Sequence, residues 1–284
     1  MTNRSNTHSG RIGAKFRALA ARHEPALIPY IVAGDPDLEH TRRLVLELEA
    51  RGADLIELGV PFSDPMADGP ANQRAAARGL AAGATIPAIL AMVTELRRTT
   101  QVPLILFGYF NPILRYGCDR LCADAARAGL DGMLVVDLPP EEARELARPA
   151  RAAGLDIIYL LAPTTPLERS RAIARSASGF LYYVSVTGVT GARTRIATDL
   201  AARLSELRTV TKLPIGVGFG ISTPAQAREV AAFADAVVVG SAISQLIETH
   251  AGSDRLVEVV GDFAAALKAA MRTARDGGGA AASA

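Results

Sequence analysis

The sequence predicts an α/β chain folded as one closed (β/α)8 barrel, a TIM barrel with an extra N-terminal helix and additional helices around it. Three observations carry this: eight short apolar runs, a longer segment of helical period between successive runs, and no linker-like stretch among them. The length of 284 residues agrees, since single α/β barrels commonly run to about 250 residues.

In chain order, residues 1–11 read as a disordered leader, and an amphipathic helix is expected over 12–21. The strand candidates are ALIPYIV (26–32), DLIEL (54–58), LILFG (104–108), GMLVV (132–136), DIIYLL (156–161), FLYYV (180–184), IGVG (215–218) and AVVV (236–239). Several are apolar almost without alternation, as parallel strands are when helices cover one face and the barrel interior the other. Helices are expected over 38–51, 86–98, 118–128, 141–152, 167–175, 200–211, 225–233 and 244–250, with one more at 256–273. The barrel domain is placed at 12–275, and the Gly/Ala-rich segment 276–284 is expected to be a flexible tail. An open doubly wound sheet would need G-x-G-x-x-G directly after a strand; Gly216, Gly218 and Gly220 have the wrong spacing.

Hydrophobic residues make up 49% of the chain, enough for a large core, yet no apolar run approaches the ~18 residues that span a bilayer. A soluble, cytoplasmic chain is the expectation. The formal charge of +2 comes from intermixed acids and bases without a Lys/Arg block, so neither nucleic acid nor membrane is implied as a partner. Cys118 and Cys122 sit in a helical segment with no histidine close in sequence, which favours packing in a reducing compartment over a metal site.

Barrel chemistry sits on the loops behind the strands, which narrows the search for a site. Those loops carry no histidine, so no imidazole metal site is expected, and no lysine, so a Schiff-base mechanism has no candidate. Carboxylates and tyrosines remain. Glu57 is one acid inside an apolar strand; burial there raises a carboxyl pKa toward neutrality, which suits a group that both gives and takes a proton. The alternative is a structural carboxylate paired with a distant arginine. Asp68 follows in a loop shaped by Pro61, Pro65, Gly69 and Pro70; its alternative, an N-cap, is disfavoured by the Gly-Pro that follows it. Gly188, Gly191, Gly218, Gly220 and Gly240, with Ser241 opening a helix, together point to a phosphorylated ligand held by backbone N–H groups. The small-residue tract 186–195 reads as a lid, and Asp137 either ties its loop to that lid or faces solvent.

With these residues in place, the chain from about Ile12 to Lys268 resembles the α subunit of tryptophan synthase. The motifs IPYIVAGDPD, DLIELGVPFSDPMADGP, FGYFNPI, YYVSVTGVTG, GVGFGIS and VVVGSAI stand in family order. The resemblance implies cleavage of indole-3-glycerol phosphate to indole and glyceraldehyde 3-phosphate in tryptophan biosynthesis. It implies no cofactor in this chain, and a β subunit that carries PLP and receives the indole in an α2β2 assembly. By motif position it implies Glu57 as catalytic acid/base, Asp68 as the aspartate engaging the indole N–H, and Tyr182 as a tyrosine of the same site. Gly191, Gly220, Gly240 and Ser241 match the phosphate cradle, Tyr30, Phe107 and Phe219 the indole-pocket walls, and Thr190 and Tyr109 join the substrate-binding set. Val186 and Phe107 stand where some members carry arginine and leucine, so the lid contacts and pocket wall are expected to differ here.

Overall fold

The computed structural model describes residues 10–185, 193–218 and 220–276. Its strands are β1 (Ala26–Val32), β2 (Ile56–Gly59), β3 (Leu104–Gly108), β4 (Gly132–Val135), β5 (Asp156–Leu161), β6 (Leu181–Val184), β7 (Ile215–Gly218) and β8 (Ala236–Val239). They pair in parallel in sequence order, and β8 closes the ring on β1 with Ala26 opposite Ala236. This is the predicted (β/α)8 barrel.

Two apolar layers follow from the twofold alternation of strand side chains. Outward residues such as Leu27, Ile31, Leu58 and Val237 pack under the helices, while Ala26, Ile28, Leu55, Ile105, Leu134 and Phe180 fill the lower interior. The first helix, α1 (Arg11–Ala20), plugs that lower end: Ile12, Phe16 and Leu19 are buried against it, with the Phe16 and Phe180 rings 5.7 Å apart. The barrel is thus solid below and open only above.

Several helical expectations need correction. The segment behind Asp68 forms α3 (Pro70–Ala81), which was not anticipated; its buried stripe is Ala75, Ala76 and Gly79, too small to register as a hydrophobic period. Pro70 in the first turn is the signal that marks it. The loop behind β3 winds into α5 (Phe110–Tyr116), whose N-terminus is capped from another unit, since Asp137 Oδ1 accepts from the Phe110 N–H at 2.7 Å. Helix α11 spans Ser241–His250, opening at Ser241 as the glycine-rich strand end implies and ahead of the periodic stretch at 244–250, while α9 spans Arg193–Arg208, starting at 193 rather than 200.

Cys118 and Cys122 lie on α6 (Cys118–Ala128), both buried and free, and burial pushes the Cys122 thiol up to about 12. Among the described residues no single helix is long and apolar enough to cross a membrane. Residues 1–9 and 277–284, which hold most of the expected leader and tail, lie outside the described residues, while Arg11 and Asp276 belong to α1 and to the last helix, α12 (Leu256–Asp276).

Candidate active site

The alternation that sends Ile28 and Leu55 into the plugged core brings Tyr30 and Glu57 up one layer, to the barrel mouth, where they are register partners on β1 and β2. The mouth holds a cavity of about 310 Å3. Tyr30, Phe107, Val136, Leu160, Tyr182 and Val238 give it a largely apolar, aromatic wall, with Phe107 edge-on to Tyr30 at 4.9 Å. Such a wall suits a flat aromatic ligand.

Into this wall Glu57 projects with no exposure at all, and among the described residues neither carboxyl oxygen has a hydrogen-bond partner. The reading of Glu57 as half of a structural ion pair therefore fails. Desolvation penalises its charged form and pushes the carboxyl up to about 8, so near neutral pH it is held mainly as an acid. Burial drives the Tyr30 and Tyr182 hydroxyls up, and the nearby Asp68 and Glu57 carboxyls add to the rise.

The strand-end glycines make room for those tyrosines. A Cβ on Gly218 would collide with the Tyr182 hydroxyl, and one on Gly59 with that of Tyr30. Gly240 lies against Tyr30 as well, with 3.2 Å between a would-be Cβ and the ring. Gly218 thus has a packing reason of its own, apart from any anion.

Asp68 also lines the cavity. Its carboxyl is raised by burial, and hydrogen bonds from Tyr109 and Asn72 pull it back down. The Tyr109 hydroxyl donates to Asp68 Oδ2 at 2.9 Å and accepts from the Ala67 N–H at 3.0 Å. Tyr109 therefore stands behind Asp68 rather than on the cavity wall. The N-cap of α3 is Gly69, so Asp68 is free for other work.

Gly220, Gly240 and Ser241 line the same cavity, the last two at the N-terminus of α11, where unpaired backbone N–H groups favour an anion. Thr190, Gly191 and Phe219, and with them Gly188 and most of the expected lid, lie outside the described residues. Asn72 and Gln245 also face the cavity and were not foreseen; both sit on helix turns whose starts were missed or placed late.

The chain's three lysines fall away from the mouth: Lys15 in α1, Lys212 ahead of β7, and Lys268 in α12 bound to Asp54 at 2.7 Å. His23, His40 and His250 follow α1, or sit within α2 (Leu38–Ala50) and α11. The functional groups gathered around the cavity are carboxyls, phenols, amides and a helix N-terminus, a set suited to proton transfer on an aromatic, anionic substrate.

Known proteins resemble this chain in sequence and fold. A family model described as tryptophan synthase alpha chain matches residues 16–272. A tryptophan synthase alpha chain of Citrifermentans bemidjiense is 58% identical over 258 residues, covering 91% of this chain and 96% of the relative. One from Gluconacetobacter diazotrophicus is 53% identical, with 93% and 99% covered. The crystal structure of tryptophan synthase subunit alpha from Legionella pneumophila superposes with a TM-score of 0.86 at 42% identity, over 93% of this chain and 99% of that one. With the barrel, its mouth and these relatives in agreement, the chain belongs to the tryptophan synthase alpha chain family.

Proposed function

We propose that the mouth cavity performs the alpha reaction of this family, cleavage of indole-3-glycerol phosphate to indole and glyceraldehyde 3-phosphate, with Glu57 moving the protons and Asp68 holding the ring. One observation carries the assignment: among the described residues Glu57 is fully buried and unpartnered, with its carboxyl raised to about 8, at the wall of a mouth cavity that Asp68 and the α11 N-terminus also line.

The sequence of events uses these groups in turn. Protonated Glu57 gives its proton to C3 of the indole, and the positive charge that develops on the ring is spread to N1, where Asp68 accepts the N–H. The glycerol hydroxyl next to C3 then returns a proton to the Glu57 carboxylate. The bond between C3 and the glycerol carbon breaks, its electron pair restores the indole, and the hydroxyl-bearing carbon leaves as the aldehyde. Glu57 ends as it began, protonated. Tyr30, Phe107, Phe219 and Tyr182 supply the slot for the ring, Gly191, Gly220, Gly240 and Ser241 hold the phosphate, and Thr190 completes the substrate-binding set. The substrate itself is the electron sink.

Supplying indole-3-glycerol phosphate and following indole release tests this directly. The chain should release indole, and Glu57→Gln should not; turnover retained in that variant sinks the mechanism.

A cytoplasmic α2β2 assembly with a PLP-bearing β subunit belongs to the same proposal. Met66, 89% exposed on the loop behind β2, and Leu114, exposed on α5, give the mouth face unpaired apolar groups of the kind that a partner covers. Adding the β subunit should raise the rate of indole formation; an unchanged rate argues against coupling.

A further inference from the structure

Helix α3 is bound to α11 along its length. Arg74 makes a bidentate pair with Glu248 at 2.7 and 2.8 Å, and Arg78 reaches the same Glu248 at 3.1 Å while forking onto buried Asp35 at 2.7 and 2.8 Å. One turn above Glu248, Ser244 is buried and donates its hydroxyl to Asn72 Oδ1 at 2.9 Å. A serine inside a helix usually turns its hydroxyl back to the carbonyl four residues earlier; this one points across the helix pair.

The direction of the Asn72 amide is set from its other side. The Asn72 side chain pulls the Asp68 carboxyl down as a hydrogen-bond donor does, and its carbonyl oxygen is already taken by Ser244, so the NH2 is the end that faces Asp68. Asn72 lies four residues beyond Asp68, in the first turn of α3, on the cavity wall. A polar chain, Ser244 to Asn72 to Asp68, thus runs from α11, whose N-terminus is the assigned phosphate end, to the acid assigned to the ring nitrogen.

From the Ser244–Asn72–Asp68 chain we infer that Asn72, oriented by Ser244, is a positioning residue that fixes Asp68 in its charged, ring-facing state and ties it to the helix that holds the phosphate. The inference rests on the proposed role of Asp68. The other groups facing Asp68 are Tyr109 from the β3 loop, and Tyr30, Glu57 and Tyr182 from β1, β2 and β6; Asp64 lies on its own loop. Among the described residues lining the cavity there is no Lys, Arg or His, so neutral donors alone hold the charge on Asp68.

The test is the pH profile of indole formation in the full chain for Asn72→Ala, Ser244→Ala, the double variant and Asp68→Asn. Losing the Asn72 donor removes an interaction that favours the carboxylate, so the acidic limb of kcat should move to higher pH, with kcat down roughly tenfold and KM within about twofold. Ser244→Ala should shift the limb the same way by less, and the double variant should match Asn72→Ala alone, because the two groups act in series. An unmoved acidic limb in Asn72→Ala, or additive losses in the double variant, overturns the inference. If Asp68→Asn keeps wild-type kcat, the role of Asp68 falls and the chain with it; if Asp68→Asn is crippled while Asn72→Ala is not, only the positioning role falls. Ser244→Ala, which removes one oxygen, keeps the test readable should Asn72→Ala unfold.

Discussion

The two ends of the barrel treat carboxylates in opposite ways. At the lower end, Asp54, Asp131 and Asp235 each stand just ahead of a strand, accept an N–H from the start of the preceding strand in the ring, and carry a cation. Asp54 binds the Leu27 N–H and Lys268; Asp131 binds Leu104, Arg97 and Arg11; Asp235 binds Ile215 and Arg208. At the upper end, among the described residues, Glu57 has no hydrogen-bond partner and Asp68 has only neutral donors. The same chemical group is structural where it is saturated with donors and reactive where it is starved of them, and at starved Glu57 burial raises the carboxyl to about 8, where it exchanges protons near neutral pH.

Exchanging one group at each end breaks the comparison cleanly. The largest effect is expected above: Glu57→Gln should lower indole formation by about 10^3-fold or more while the variant still folds, as measured by steady-state turnover beside a thermal melt. Next comes Lys268→Met below, which leaves the buried Asp54 charge unpaired and should reduce unfolding free energy by about 3–5 kcal/mol in denaturant titration, with kcat of the folded protein unchanged.

The two ends should also answer pH differently. Folding raises the Glu57 carboxyl from its ordinary 4.5 to about 8, so between those values the folded chain holds a proton that the unfolded chain has released. Stability from this group is present below the unfolded value and is lost as pH rises toward 8. Glu57→Gln removes the dependence, and its advantage over the parent chain should grow from near zero at pH 4.5 to on the order of 4 kcal/mol at pH 8. A flat difference across that window would contradict the burial of an unpaired acid. The smallest change is Tyr109→Phe, which takes one donor from Asp68 and one acceptor from Ala67; a roughly tenfold loss of kcat is expected, with the thermal midpoint nearly unmoved.

Much of this was legible in the sequence, and the limits have physical causes. Strands announce themselves because both faces are apolar, so β1, β3, β5, β7 and β8 were found to the residue. The start of β2 was misplaced because Asp54 looks like a strand residue in Asp-Leu-Ile-Glu, yet its side chain is turned to the Leu27 N–H and Lys268, a contact made across more than two hundred residues of chain. Helix α3 was invisible because it docks through alanines, a glycine and two arginines instead of a leucine stripe. Missing α3 hid Asn72, and with it the partner that Asp68 needs. Glu57 was readable because an acid in an apolar strand has few explanations; Tyr109 was recognised as near the site, but its place behind Asp68 depends on a hydrogen bond across the β2 and β3 loops that no local pattern encodes.

The pairing of β8 with β1 has a kinetic side. The cavity wall takes Tyr30 from one of these strands and Val238 from the other, so the reacting pocket does not exist until residues near opposite ends of the chain meet. Joining them is the longest-range contact in the ring and the one that gives up the most chain entropy, which places it late in assembly. Recovery of turnover during refolding therefore reports ring closure itself, and a fragment ending before β8 keeps Glu57 and Asp68 but has no pocket around them.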